Sequence, residues 1–297
     1  MVKKLVFSAV KDHVVIKKVI ELLRKENEIS LKLHDPTVDF LDLENITDLF
    51  EDTDLLIVKV RSECSIDLLH FAKLYKISTL HDIDTILMCK NKIALDFAIR
   101  KVLIDNSNVL KKFLIPKSWI HSLKNINRFK KWALPKLPIV LKSHYQHDKY
   151  NRFNFLVQKI GEVEKFCEMY KNFLYYDIYI QKFVECDGME YKIYVIGDKV
   201  YGIVRENPIY IYMRDKPKNI DVENLKRKSF DITDDIKNLA NNLSNELNLK
   251  IFGFDLIKPI NRDNYYIIDL NDFPSFKGIE NVEKSIAAYI KNYLYKV

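Results

Sequence analysis

Residues 253–278 read GFDLIKPINRDNYYIIDLNDFPSFKG, and the pairing of this stretch decides the fold. Two apolar runs, 252–257 and 265–270, flank a turn at 259–264 rich in Pro, Asn and Asp, which is the pattern of a β-hairpin. Side chains two apart on a strand share a face, so Asp269 and Asn271 lie together. With the hairpin centred on Arg262, Asp255 and Asp269 are each seven residues from the centre and stand opposite one another. Three oxygen donors then converge on one side of the hairpin. Two carboxylates held this close repel unless a cation sits between them. Oxygen donors without His or Cys suit Mg²⁺ or Mn²⁺, which complete their shells with water and nucleotide phosphates. Solvated acids on an exposed hairpin are the plainer reading of any D-x-N. The apolar neighbours Ile267, Ile268 and Leu270 argue against it, because they put at least one face of the strand in a core.

The order of a Gly-x-Asp strand, a D-x-N strand, then Pro, an aromatic and Gly resembles the C-terminal signature of ATP-grasp enzymes. Within that superfamily it is similar to the inositol-tetrakisphosphate kinases, with D-x-N followed by P-G-Y-E-G. It is similar also to the RimK-type amino-acid ligases, with E-x-N followed by P-G-L-E-G. Here Asp269-Leu270-Asn271 is followed by Pro274-Ser275-Phe276-Lys277-Gly278. The Asp leans toward the kinase branch, and Ser275 stands where the family carries Gly. The resemblance implies an α/β ATP-grasp fold with a Rossmann-like N-terminal domain, ATP as nucleotide and Mg²⁺ as its metal.

A chain of 297 residues that is 48% hydrophobic has core enough for two or three α/β subdomains. No apolar stretch is long enough for a membrane span, and MVKKLVFSAVKDH reads as a strand followed by charge, not a secretory signal; the expected location is the cytoplasm. Cys64, Cys89, Cys167 and Cys186 are too widely spaced for a zinc motif and read as reduced packing residues. The net charge of +7 suits a small anionic ligand. No basic stripe interleaved with aromatics appears, so nucleic acid is an unfavoured partner.

Along the chain, strands at 4–8, 29–33 and 55–60 alternate with helices at 12–25 and 65–76, with Val15, Val19, Leu22 and Leu23 facing inward on the first helix. This predicts a small parallel sheet, a Rossmann-like N-terminal unit spanning residues 1–84. Residues 85–185 are expected to hold linker helices and a central lid subdomain, and 186–297 the C-terminal subdomain with the metal site. Ligands gather at the carboxyl ends of parallel strands. Lys59 lies at such an end, where anion binding and a snorkelling lysine are equal readings. The resemblance tips it toward holding substrate phosphates. It also makes Lys92, at the start of an apolar helical pattern, a candidate contact of the nucleotide phosphates. Residues 119–132 read as a helical or irregular segment.

Residues 138–142, Pro-Ile-Val-Leu-Lys, form a short buried strand that delivers Lys142 at its end. A lysine whose stem packs in a strand presents its ammonium to phosphate at little conformational cost. The resemblance puts that lysine on the α- and β-phosphates. The family's loop after it is glycine-rich, yet no glycine occurs before Gly161, and residues 143–154 offer His144, His147, Lys149 and Arg152 instead. The kinase branch has a histidine in this loop, which makes His144 and His147 candidate substrate contacts; bystander histidines in solvent are the alternative. The strand at 175–184 ends in Gln181-Lys182-Phe183-Val184, which resembles the hinge that offers backbone groups to adenine, and Glu185 or Asp187 follows where an acid usually meets the ribose. Residues 191–205 form a hairpin through Gly197-Asp198. By resemblance its Lys192 and Arg205 face the nucleotide and the transferred phosphate. Arg205 is the catalytic candidate, since a planar guanidinium clamps phosphoryl oxygens as charge develops; a salt bridge to Glu206 or another acid is its alternative. Residues 208–230 read as a mobile connection on the substrate side.

The resulting expectation is an ATP- and Mg²⁺-dependent enzyme that passes the γ-phosphoryl group to an oxygen acceptor. A carboxylate acceptor, giving a RimK-like carboxylate-amine ligase, is placed first. A small-molecule kinase of the inositol-tetrakisphosphate type is placed second, and a nucleotide-binding protein without turnover third.

Overall fold

The computed structural model describes residues 2–145, 152–217 and 220–297. The N-terminal unit runs β1 (Lys3–Ser8), α1 (Val14–Leu23), β2 (Ile29–His34), α2 (Ile46–Leu49), β3 (Leu55–Val58) and α3 (Glu63–Tyr75). Its strands form a parallel sheet in the order β2-β1-β3, with Leu5 level with both Leu31 and Leu55. All four residues of β3 are buried, as expected of a parallel strand covered on both faces. Helix α1 starts later than the sequence pattern suggests, because His13 caps it by accepting from the Ile16 N–H. Its buried stripe is Ile16, Val19, Ile20 and Leu23, with the predicted Val15 and Leu22 only half-buried at the edge.

Helices α4 (Ile83–Lys90) and α5 (Lys92–Asp105) follow, split at Asn91, whose side chain leaves α4 to cap α5 by accepting from the Ile93 and Ala94 N–H groups. A two-residue strand, β4 (Phe113–Leu114), leads to β5 (Ser118–Ser122), α6 (Ile126–Ala133), β6 (Ile139–Ser143), β7 (Asn154–Val157), α7 (Glu162–Met169) and β8 (Asp177–Lys182). Strands β5 to β8 make an antiparallel sheet in the order β5-β8-β6-β7, within the segment expected to form a lid and labelled the lid below. The reading of 119–132 as helical or irregular is corrected here: its first part is β5. Trp119 of β5 packs edge-on against Trp132 of α6 at 5.6 Å, and aromatic residues in both elements blur the change of period from two to 3.6.

The rest of the chain is β9 (Met189–Ile196), β10 (Lys199–Glu206), α8 (Pro208–Asp215), β11 (Arg227–Ser229), α9 (Asp234–Glu246), β12 (Ile251–Ile257), β13 (Tyr265–Asp272) and α10 (Val282–Leu294). The connection expected at 208–230 therefore contains a helix and a strand. The sheet order is β11-β10-β9-β12-β13-β4. Ile193 and Val195 face a core shared with α5 and α9, while Tyr194 and Ile196 face one shared with α1, β1 and α10. Glu190 and Lys192 have the parity of Tyr194, so the face that is apolar at one end of β9 becomes charged at the other. Among the described residues no helix is long and apolar enough to cross a membrane, and all four cysteines are free thiols.

Candidate active site

The hairpin β12–β13 sets the register of the site. Asp255 pairs with Asp269 and Gly253 with Asn271, so symmetry about Arg262 holds along this part of the ladder. Beyond Asp255 the register slips by one: Leu256 meets Ile267, which leaves Ile268 as a bulge. Ile267 and Leu270, three apart, consequently reach the same core. The bulged Ile268 carbonyl accepts from Lys142 Nζ at 2.9 Å, so the irregularity ties the lid to the C-terminal sheet.

Across the strands the charges alternate. Arg205 is level with Glu190 on the β9–β10 ladder, and Lys192 is level with Asp255 on the β9–β12 ladder. Arg205 Nε donates to Glu190 at 2.7 Å, and Lys192 Nζ lies 2.5 Å from Asp255 and 3.4 Å from Glu190. Lys92, at the N-terminus of α5, pairs with Asp269. Burial would raise the Asp269 carboxyl, but Lys92 and Lys142 outweigh it and hold the group well below the usual carboxylate range. Asp255 behaves oppositely. Burial, opposed by Lys192 but reinforced by Glu190 and Asp269, pushes its carboxyl up to about 7. An acid that is hard to ionise beside two other carboxylates is short of positive charge, and the donors here are all oxygens; the residues fit a hard divalent cation. The set is two carboxylates and one amide; among the described residues no group of three or more His, Cys, Asp or Glu is arranged to hold a metal.

Next to this face opens a cavity of about 570 Å³, lined by Asp255 and Asn271 on one side and by Lys59 and Arg61 of the N-terminal unit on the other. Gly253 leaves it open: a Cβ there would stand 3.1 Å from Pro274 and 3.2 Å from Tyr194. The cavity is strongly positive. His13 on its wall is pushed down to about 4, by burial first and then by Lys59, Lys277 and Arg61. Lys59 is pushed down to about 7 by burial and spans to the segment after β13, donating to the carbonyls of Phe273 and Pro274.

The remaining expected residues are placed as follows. Lys142 is buried, and burial pushes it down to about 8, with Asp269 acting against that shift. Lys182 donates to the Lys136 and Leu137 carbonyls at 2.9 Å each. Gln181 donates to the Tyr179 hydroxyl, which itself donates to Asp96. Gln181, Lys182, Phe183 and Val184 line a narrow cleft with Lys142 and the bulged Ile268. Within that hinge the N–H groups of Lys182 and Phe183 already donate to Lys117 and Pro138. His144 does not line the charged cavity; its ring meets Asn91 Oδ1 at 3.0 Å and faces a neighbouring cleft with His70, Tyr175 and Tyr176. His147 lies outside the described residues.

Glu190 is the residue that reading the sequence missed. The signal was present: a two-residue turn at Gly197-Asp198 fixes Glu190 opposite Arg205 and two residues from Lys192. Lys90 was missed as well. It pairs with the buried Asp272 and reaches the charged cavity.

Comparison with known proteins sets this geometry in context. Residues 214–292 match the family model described as the inositol 1,3,4-trisphosphate 5/6-kinase ATP-grasp domain. The inositol-tetrakisphosphate 1-kinase 2 of Oryza sativa subsp. indica is 27% identical over 131 residues, a match that spans 38% of this chain and only 38% of that enzyme's length. Over the whole chain the likeness is to solved ligases. The Chryseobacterium gregarium RiPP-associated ATP-grasp ligase, solved with ADP and a leader and core peptide, superposes with a TM-score of 0.66 at 18% identity, covering 99% of this chain and 97% of that one. The RimK domain ATP-grasp protein of Sphaerobacter thermophilus superposes at 0.70 and 13%, covering 98% and 99%. The D-alanyl-alanine synthetase A of Vibrio cholerae superposes at 0.70 and 12%, covering all of both chains.

Proposed function

We propose that this chain, which has the ATP-grasp fold, is an ATP-dependent phosphoryl transferase whose acceptor is a small hydroxylated polyanion of the inositol-phosphate type. The observation that carries this reading is the charge of the cavity beside Asp255. Eight Lys or Arg side chains line it (Lys59, Arg61, Lys90, Arg152, Lys192, Arg205, Arg227 and Lys277) against four acids (Asp12, Glu223, Asp255 and Asp272). A carboxylate acceptor brings one charge and needs one or two of these cations. An acceptor with several phosphates uses the surplus, and the partial match to the kinase family supports the same order.

In this reading Asp255, Asp269 and Asn271 hold Mg²⁺ or Mn²⁺, which when bound neutralises the β- and γ-phosphates. Lys92 and Lys142 approach the nucleotide from α5 and the lid, and the hinge at 181–184 receives its base. Arg205, its guanidinium set by Glu190 at Nε and by the Val222 carbonyl at Nη1, faces the transferred phosphoryl group. Lys59, Arg61 and Lys277 hold the acceptor's own phosphates. Electrostatic stabilisation and alignment carry the reaction, as phosphoryl transfer asks for little covalent chemistry from side chains.

The carboxylate-amine ligase, placed first from the sequence, becomes the second reading; the whole-chain likeness to solved ATP-grasp ligases favours it. The fate of the γ-phosphate separates the two. A kinase leaves it on the acceptor as an ester, whereas a ligase releases it as inorganic phosphate when the amine attacks the acyl phosphate. With γ-labelled ATP, Mg²⁺ and separate pools of inositol phosphates and of amino acids with peptides, the expected result is label in an inositol phosphate and no free phosphate. Free phosphate equal to ADP, seen only with a carboxylate and an amine, overturns this reading. No ADP with any pool favours a nucleotide-binding protein without turnover.

A further inference from the structure

Glu190 is a buried carboxylate whose two oxygens are used unequally. Oε2 is fixed by Arg205 Nε at 2.7 Å, while Oε1 has a long contact of 3.4 Å with Lys192 Nζ, and the Asp255 carboxyl lies within hydrogen-bonding distance of the Glu190 carboxylate. Lys192 is committed instead to Asp255 at 2.5 Å. A divalent cation at Asp255 would sit where that ammonium now sits, and like charges do not share a carboxylate at that distance. The displaced ammonium is too buried to be left without a counter-charge. Glu190 Oε1 lies within reach by a turn of the lysine side chain alone, since both residues stand on the same face of β9.

We propose that Glu190 is a positioning residue that receives Lys192 when a divalent cation takes Asp255, so that the ammonium is kept beside the phosphates instead of competing for the metal. The inference rests on the nucleotide and metal reading above. It also distinguishes the two carboxylates. Lys92, on Asp269, has no second carboxylate hydrogen-bonded to its ammonium among the described residues, so exchange is built in at Asp255 alone.

The test is a Mn²⁺ titration followed by electron paramagnetic resonance in the presence of ADP. It uses wild type, Glu190→Gln, Lys192→Met and the double variant, with thermal melting as the check on folding. In the wild-type background Glu190→Gln is expected to weaken Mn²⁺ about tenfold, the scale of one lost hydrogen bond to a charged group. In the Lys192→Met background, with no ammonium to receive, it should change Mn²⁺ affinity by less than about twofold. Equal losses in both backgrounds mean that Glu190 acts only through its own charge, and no loss in either means that it does nothing for the metal; both outcomes overturn the inference alone. A wild-type protein that binds no Mn²⁺ with ADP overturns the metal reading and this inference with it. If Glu190→Gln does not fold, Glu190→Asp carries the same cycle. It keeps the charge but draws the carboxylate back by one methylene, so affinity must still fall only where Lys192 is present.

Discussion

The C-terminal sheet and the β5–β8 sheet that faces it hold their lysines in different ways. On the C-terminal sheet and the adjoining helix, cations meet carboxylates: Arg205 with Glu190, Lys192 with Asp255, Lys92 with Asp269. On the β5–β8 sheet, Lys142 and Lys182 donate, among the described residues, to backbone carbonyls, those of Ile268, Lys136 and Leu137. The first wall is neutralised from within, and its pairs are good structure before any ligand arrives. On the second, no carboxylate is hydrogen-bonded to either ammonium among the described residues, and burying a lysine without one costs stability. The same side chain, lysine, is thus ion-paired on one wall and bonded to carbonyls on the other.

The largest expected effect comes from breaking a pair on the sheet. Asp269→Asn takes the negative charge from a proposed metal donor and removes the counter-charge of the buried Lys92. Steady-state ATP turnover should fall by about a thousandfold, and urea melts should show a loss of roughly 2 kcal/mol. Turnover within tenfold of wild type would remove Asp269 from the metal site. The lid should respond with the opposite sign in stability. Lys142→Met is expected to weaken ADP binding by about ten- to a hundredfold while stabilising the ligand-free protein by roughly 1–3 kcal/mol at pH 7.

That contrast has a pH signature. Burial pushes the folded Lys142 down to about 8 from an ordinary value of 10.5, so the unfolded chain holds the proton more tightly. The penalty is full below pH 8 and is relieved as pH rises from 8 toward 10.5. The gap between wild type and Lys142→Met in urea melts should therefore narrow over that window, and a constant gap would mean that Lys142 is solvated. The smallest effect is expected at the back of the hinge. Tyr179→Phe removes the bond to Asp96, which keeps Arg100 and Ser118 as partners, so the cost should be about 1 kcal/mol with less than about threefold change in the KM for ATP. A larger KM change would make the Asp96–Tyr179–Gln181 chain part of nucleotide positioning.

The sequence exposed most of what is local and periodic. Alternation and a centred turn paired Asp255 with Asp269 before any coordinates, and the βαβ rhythm of residues 1–84 gave the parallel N-terminal sheet. It failed where a signal was diluted or a partner distant. Strand β5 was lost because its alternation is masked by aromatics and its partner β8 lies far along the chain. The bulge at Ile268 has no signature in an apolar run, yet it exposes the carbonyl that Lys142 uses. His144 was read from resemblance as a candidate substrate contact, with a bystander in solvent as the alternative, and the fold turns its ring toward Asn91.

By itself the sequence determined which residues share a face, because side-chain direction along a strand repeats every two residues whatever surrounds it. It also determined that Asp255, Asp269 and Asn271 stand on one side of their hairpin. Which charge meets which was decided by tertiary structure alone. Lys92 reaches Asp269, Lys59 spans to Phe273, and Lys90 finds Asp272 across separations of 177, 214 and 182 residues. Pairing at such range depends on how sheets and helices stack, and desolvation then decides which groups stay charged.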